Sequence, residues 1–263
     1  MTEGVYNIVC IAVFGLVFGS FLNCMAMRIV RNEDFVKDRS RCRDCGHKLG
    51  AIDLIPVLSY VLSRGKCRYC GKKISVRYPV TELIFMFLSV FLYAFTKPDM
   101  LLFCKNWVLT GCLFAMALVD LEILEIPDGL LITAFFNWVF FSLLEVVTGD
   151  WSIKDLGFGL LAGVIAGAVM LTLSLIMDRI LKRDSLGGGD IKLFAILGLY
   201  LGFAGAYELV ILSCVLGLMF AMARKIIDPK ATKEFPFGPA IATASYILLI
   251  IGNDITDWYL RML

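Results

Sequence analysis

The sequence predicts an all-α polytopic membrane protein of about eight transmembrane helices with a small cytoplasmic zinc-binding insertion. Three observations lead there. Apolar residues fill 59% of the 263 positions and the mean hydropathy is +0.82, more apolar surface than one soluble core can hide. Those residues run in long blocks rather than in the alternation of half-buried strands. The basic residues gather in particular gaps between the blocks, as loops on one side of a membrane do.

The first block covers about 4–27 and has no basic start of the signal-peptide kind, so it is expected to stay as a retained span. A soluble insertion follows at 28–78. Further spans are expected at about 79–96, 101–119, 129–147, 156–177, 191–203, 205–223 and 236–251. Several fall short of the roughly 20 residues a perpendicular helix needs, so tilt or flanking residues must complete them. Gly202 and Gly205 argue for a break inside 191–223. Pro127 fits the start of the span at 129. Gly159, Gly163 and Gly167 form a small-residue stripe, read here as a packing face for another helix. The chain thus divides into a first transmembrane helix (1–27), the insertion (28–78) and a membrane core (79–263).

Charge orients the spans. Segment 28–77 holds 13 of the 25 Lys and Arg residues, and with 120–128, 178–190 and 224–235 it holds 20. With eight spans these four segments share a face. The positive-inside rule makes that face cytoplasmic and puts both termini outside.

Nine cysteines divide into two groups. Cys10, Cys24, Cys104, Cys112 and Cys214 lie in apolar runs and read as small buried hydrophobes. Cys42 and Cys45, and Cys67 and Cys70, form two C-x-x-C pairs inside a short repeat, CRDCGHK at 42–48 and CRYCGKK at 67–73. Four thiolates match a closed tetrahedral Zn²⁺ site, and Gly46 and Gly71 supply the tight turn of each knuckle. A redox dithiol is the competing reading, disfavoured by compartment and spacing. His47 reads as a bystander because four sulfurs fill the shell. Metal at a closed site supplies folding energy, not chemistry.

Two aspartates carry the chemistry. Asp120 closes the apolar run LFAMALV at a helix C-terminus, where the dipole disfavours negative charge. Asp190 follows three glycines in LGGGDIKLFAILG. A lone aspartate there would cap a helix, yet three glycines also open the backbone to close approach by an extended peptide. Brought together, the two carboxyl groups can share a proton, which is the requirement of an aspartic protease. Asp128, after Pro127, reads as dipole compensation at a helix start with a supporting place in the site. Gly187, Gly189 and Lys192 are the other supporting residues.

These motifs, in order, resemble the type IV prepilin peptidases, the bifunctional leader peptidases and N-methyltransferases of pilus, type II secretion and competence systems. GSFLNCMAMR at 19–28 is similar to the family's first-span signature, and the knuckles to its cytoplasmic zinc-binding loop. PVLSYVLSRGKCRYCGKKISVRYPVTE at 56–82 is the longest match. VDLEILEIPD at 119–128 resembles the segment bearing the first catalytic aspartate, GGGD at 187–190 the G-x-G-D motif bearing the second, and FPFGPAIA at 235–242 the last-span motif. Cys24, Met25 and Met27 stand where more aliphatic residues are expected, and Arg43 where many members have Pro.

The resemblance implies that 79–263 is a transmembrane aspartic peptidase core acting through Asp120 and Asp190 on prepilins or pseudopilins at the inner membrane. It also implies methyl transfer from S-adenosylmethionine to the new N-terminal amine. No glycine-rich nucleotide loop announces that cofactor, and Asn23, Arg28, Arg77 and Glu82 are the residues proposed for methyl transfer. Expected partners are the substrate and membrane lipid, with no nucleic acid. Three other readings remain at this stage. A presenilin-like intramembrane protease would share G-x-G-D but not need the knuckles. A proton-coupled transporter predicts acids at the midplane and two similar halves. A membrane-anchored zinc-ribbon binding module leaves Asp120 and GGGD unused.

Overall fold

A computed structural model describes residues 2–34, 39–96, 99–182, 186–227 and 235–262, with side chains from residue 4 to 252 within those ranges. Eight α-helices account for most of it, and among the described residues the only β pairing is two isolated bridges, Arg41 with Lys48 and Lys66 with Lys73. The helices fall into two compact units, Met1–Pro98 and Asp99–Leu263.

In the first unit, α1 (Thr2–Val30) packs along α3 (Arg77–Thr96). Glycines set how close they come. A β-carbon at Gly15 would lie 2.8 Å from the Met86 backbone, and one at Gly19 would lie 3.0 Å from that of Glu82. Small residues at such a crossing bring backbones together, the main attraction available to helices in lipid. Between the two helices lie the knuckles, a 3₁₀ turn at Ala51–Leu54 and the short helix α2 (Leu58–Leu62). Ile52, Ile55, Leu58, Val61 and Leu62 point their apolar side chains outward, an arrangement that suits a membrane surface.

The second unit contains α4 (Met100–Ile123), α5 (Asp128–Thr148), α6 (Ile153–Leu181), α7 (Gly188–Ile227) and α8 (Gly238–Met262). The most enclosed helix is α4, packed against α5 and α8, with Leu109, Leu113, Met116 and Val119 fully buried. Leu124 closes it in the left-handed conformation at φ 58°, and the chain turns through Pro127 into α5. Ser152 and Asp155 cap the start of α6 reciprocally. The glycine stripe of α6 is a packing face, as expected. It meets α7, where a β-carbon at Gly163 would come within 2.8 Å of the Ala195 carbonyl and one at Gly167 within 2.8 Å of the Ala195 β-carbon.

Six helices among the described residues are long and apolar enough to cross a membrane, and Gly238–Gly252 of α8 is a shorter apolar stretch. The 40-residue α7 covers the region where two spans are expected. It is broken at Gly202, whose φ of 67° lies in the left-handed region that glycine tolerates, while Gly205 stays helical.

Candidate active site and metal centre

Asp120 occupies the last turn of α4 and is 5% exposed. Its own helix end repels negative charge, but another helix offsets that: the Gly238 amide, first in α8, donates to Asp120 Oδ2 at 2.7 Å. Contact here is close because residue 238 has no side chain. A β-carbon there would meet Asp120 Oδ2 at 2.8 Å.

Asp190 lies in the first turn of α7, half-buried, and its carboxylate accepts from the Gly187 amide. Asp190 is thus both a residue of the helix start and a half-buried carboxylate. The two aspartates are near enough for the charge of Asp120 to act on Asp190. Gly189 gives the chain room to pass Ile126, since a β-carbon there would lie 2.9 Å from that of Ile126. A β-carbon at Gly187 would meet Asp190 Oδ2 at 3.2 Å, so the glycines also make space for the carboxylate.

Asp128 is the first residue of α5, exposed, one place past the N-cap position, which Pro127 holds without a side-chain hydrogen bond. It accepts from Lys192 Nζ at 2.7 Å, with side chains 66% and 58% exposed. That pair links the start of α5 to the first turns of α7 on the surface. A pair so exposed adds at most about 1 kcal/mol.

The four cysteines come together. The sulfurs of Cys42, Cys45, Cys67 and Cys70 lie within 4.8 Å of one another, and Cys42 and Cys70 are 3.9 Å apart. Tetrahedral zinc with bonds of about 2.3 Å needs sulfurs about 3.8 Å apart, so the donor set fits. The two knuckles fold alike. The Cys42 amide donates to the His47 carbonyl and the Gly46 amide to the Cys42 carbonyl, and Cys67, Lys72 and Gly71 repeat both bonds. Gly46 and Gly71 have φ of 71° and 72°, conformations that strain any residue with a β-carbon. Amides of Cys45 and Asp44 draw the Cys42 thiol down to about 7. Cys70 goes the other way, to about 12: the Lys72 amide favours its thiolate, but desolvation and the neighbouring sulfurs outweigh it. Four crowded thiols cannot all ionise by themselves, and a dication bound among them would supply the missing charge. His47 lies outside the sulfur cluster and stacks on Tyr69 of the second knuckle at 3.5 Å between ring centroids.

The residues expected for methyl transfer all belong to the first unit, but they play different parts. Glu82 is 6% exposed, accepts from the Val57 amide at 2.7 Å and hydrogen-bonds with Ser20. Asn23 is 1% exposed and its side-chain oxygen has no hydrogen-bond partner. Arg28, buried at the end of α1, donates to the Asp34 carbonyl at 3.3 Å. Arg77 begins α3, its amide held by the Ser75 hydroxyl at 3.2 Å. A cavity of about 880 Å³ takes in Arg28 and Glu82 but neither Asn23 nor Arg77.

Sequence reasoning assigned no role to Gly238, Ser20 or Val57. A Gly-Pro pair opening the last span was the available signal for Gly238. None existed for Val57, whose φ of 58° is exceptional for a β-branched residue.

Comparison with known proteins agrees with this division. The model described as "Bacterial Peptidase A24 N-terminal domain" matches residues 13–96, and that described as "Type IV leader peptidase family" matches 107–222. A relative named prepilin leader peptidase/N-methyltransferase from Bacillus subtilis (strain 168) is 30% identical over 251 residues, covering 95% of this chain and 96% of its own. Proteins of the same name from Dichelobacter nodosus and Aeromonas salmonicida (strain A449) are each 31% identical. The first covers 93% of this chain and 92% of its own length. The second covers 84% and 74%. No solved structure gives a significant match.

Proposed function

This chain belongs to the type IV leader peptidase family, and we propose that Asp120 and Asp190 are the pair with which it removes the leader of type IV prepilins or pseudopilins. It is a multi-pass membrane enzyme with two activities, leader cleavage and N-methylation of the new terminus. One observation supports the aspartates above others: a buried carboxylate, Asp120, is held at one helix end by the amide of another, within electrostatic reach of Asp190.

The pair holds one proton between its two carboxyl groups. The ionised member takes a proton from water as the water oxygen bonds to the scissile carbonyl carbon. The protonated member donates to the carbonyl oxygen, giving a neutral tetrahedral intermediate. A proton then passes to the amide nitrogen, the C–N bond breaks, and the leader leaves as a carboxylic acid. Because the two groups titrate as a unit, neither is assigned alone as base or acid. Gly187 and Gly189 leave the backbone beside Asp190 open to an extended peptide. Asp128 and Lys192 tie the start of α5 to that of α7.

Charge distribution supports a cytoplasmic site, since 20 of the 25 basic residues fall in the loops on the side of the aspartates. The four cysteines hold zinc as a structural ion that fastens the two knuckles together. S-adenosylmethionine, when bound, supplies the methyl group for the exposed amine. A transporter is not favoured, because Asp120 and Asp190 lie at helix ends and not at mid-span.

The test is cleavage of a purified prepilin in detergent, read by mass spectrometry. Asp120→Asn and Asp190→Asn are each expected to lower the rate by about 10²–10⁴-fold while the protein stays folded. Cleavage near the wild-type rate in either variant rejects the assignment.

A further inference from the structure

The aspartates belong to the second unit, and nothing in the peptidase step uses the cavity of the first. That cavity is about 880 Å³, within the range of pockets that take nucleoside-sized ligands. Ser20, Cys24 and Arg28 on α1, Pro79 and Glu82 on α3, and Tyr60 on α2 line it together with knuckle residues, the zinc-site cysteines Cys42 and Cys67 among them.

Its charge is arranged unevenly. Nine Lys and Arg residues line it against four acids, Glu33, Asp44, Asp53 and Glu82. Asp44 pairs with Lys72 and Asp53 with Arg68. Glu82 is the buried acid of the four, and its partners are the Val57 amide and Ser20, both uncharged. A buried carboxylate without a counter-charge is costly unless something else supplies one. The local backbone is strained to meet it. Val57, at φ 58° and ψ −49°, aims its amide at Glu82, in a conformation that β-branched residues avoid.

A simple anion would suit the basic lining but would be repelled by Glu82. A simple cation would suit Glu82 but not the lining. The lining matches a molecule with a positive part and a carboxylate, and S-adenosylmethionine carries a sulfonium, an ammonium and a carboxylate. Resting on the reading that this chain methylates the terminus it exposes, we propose that this cavity seats the methyl donor, with Glu82 as counter-charge to its cationic part and the basic lining facing its carboxylate. Arg28, among the residues expected for methyl transfer, contributes to that lining. Glu82 is thereby a binding residue rather than an idle acid in a span.

The experiment is titration calorimetry of S-adenosylmethionine into the full-length, metal-bound protein in detergent. Each preparation is also assayed for leader removal, for methylation of a prepilin and for thermal unfolding. Glu82→Gln keeps an oxygen for the Val57 amide but removes the charge, and it is expected to weaken binding about tenfold or more. Cys24→Phe adds bulk to the cavity wall and leaves the charge of Glu82 in place, and it should weaken binding similarly. Asp120→Asn should bind the donor as wild type does. If Glu82→Gln and Cys24→Phe both bind with wild-type affinity while the wild-type protein cleaves and methylates, the cavity is not the donor site and the enzymatic reading stands. If the wild-type protein neither cleaves nor methylates, that reading falls and this inference falls with it.

Discussion

Replacing Gly238 with Ala should cripple cleavage although the change adds a single methyl group. The new β-carbon would lie 2.8 Å from Asp120 Oδ2, 3.1 Å from its Cγ and 3.2 Å from its Cβ. The shortest of these is 0.6 Å inside the 3.4 Å at which ordinary contact begins. Either the carboxylate withdraws by that much or the start of α8 moves, and both disturb the 2.7 Å bond from the Gly238 amide. Misplacing a reacting group by about 1 Å costs about 100-fold, so a loss of about 10- to 100-fold in kcat is expected with little change in KM. Helix propensity works in the opposite direction, because alanine is the better helix former by about 1 kcal/mol. Gly129→Ala isolates that effect. Gly129 also lies in the first turn of its helix, and a β-carbon there meets nothing within 4 Å. The assay is initial-rate cleavage of a purified prepilin over a range of concentrations, comparing both variants with wild type. Wild-type kcat in Gly238→Ala would refute the argument that Asp120 is positioned by this contact.

Two other perturbations test the scaffold. Lys105 Nζ contacts Glu145 Oε2 at 2.7 Å and the Ser142 hydroxyl at 3.2 Å, and lies 4.4 Å from the Trp151 ring centroid, with both charged side chains buried. Lys105→Met leaves Glu145 buried without its partner and should cost about 3–5 kcal/mol, read by unfolding in detergent, whereas adding Glu145→Met should recover much of the loss. Elemental analysis of the intact protein should find one zinc per chain. The Cys42→Ser, Cys67→Ser double variant should contain none and should be cut rapidly by protease within residues 39–76. A metal-free wild-type protein with a resistant insertion would contradict the structural role of zinc.

Much of this was legible in the sequence because lipid imposes simple rules. A span must be apolar and helical, so block lengths located the helices, and even the break in α7 was marked by Gly202. The knuckles were legible because thiol spacing and the following glycine are local requirements, met within five residues each. Asp120 stood out by being unfavourable in its own helix. What made it favourable was illegible. The amide that holds it lies 118 residues away, and a backbone donor leaves no residue-type signature. The strained Val57 was invisible for the same reason: its conformation is set by a bond to Glu82, 25 residues on. The methyl-transfer candidates show the limit well. Position in the basic insertion or at the nearby helix ends picked out four residues, but only the fold separates Glu82 and Arg28, which line the cavity, from Asn23 and Arg77, which do not.

The use of helix ends also explains why the family motifs are spaced so far apart. Aspartate at the end of α4 faces the carbonyl end of its own dipole, so the helix alone would expel the charge toward water. It stays buried because the amide end of α8 meets it. Asp190 needs no such help, since it lies in the first turn of α7 and accepts from the amide of Gly187, the residue just before that helix. One carboxylate is therefore held locally and the other by a distant segment. A substitution near Asp190 should act through the local turn of the glycine run. The siting of Asp120 instead depends on α8 docking against α4, and anything that loosens that packing should lower cleavage even with every residue around Asp120 intact. Ala240 and Ile241 of α8 are fully buried just beyond Gly238, and Phe237 just before it packs against Phe194 of α7. FPFGPAIA thus works as a unit: its aromatic and small residues fix the helix start so that one amide reaches one carboxylate.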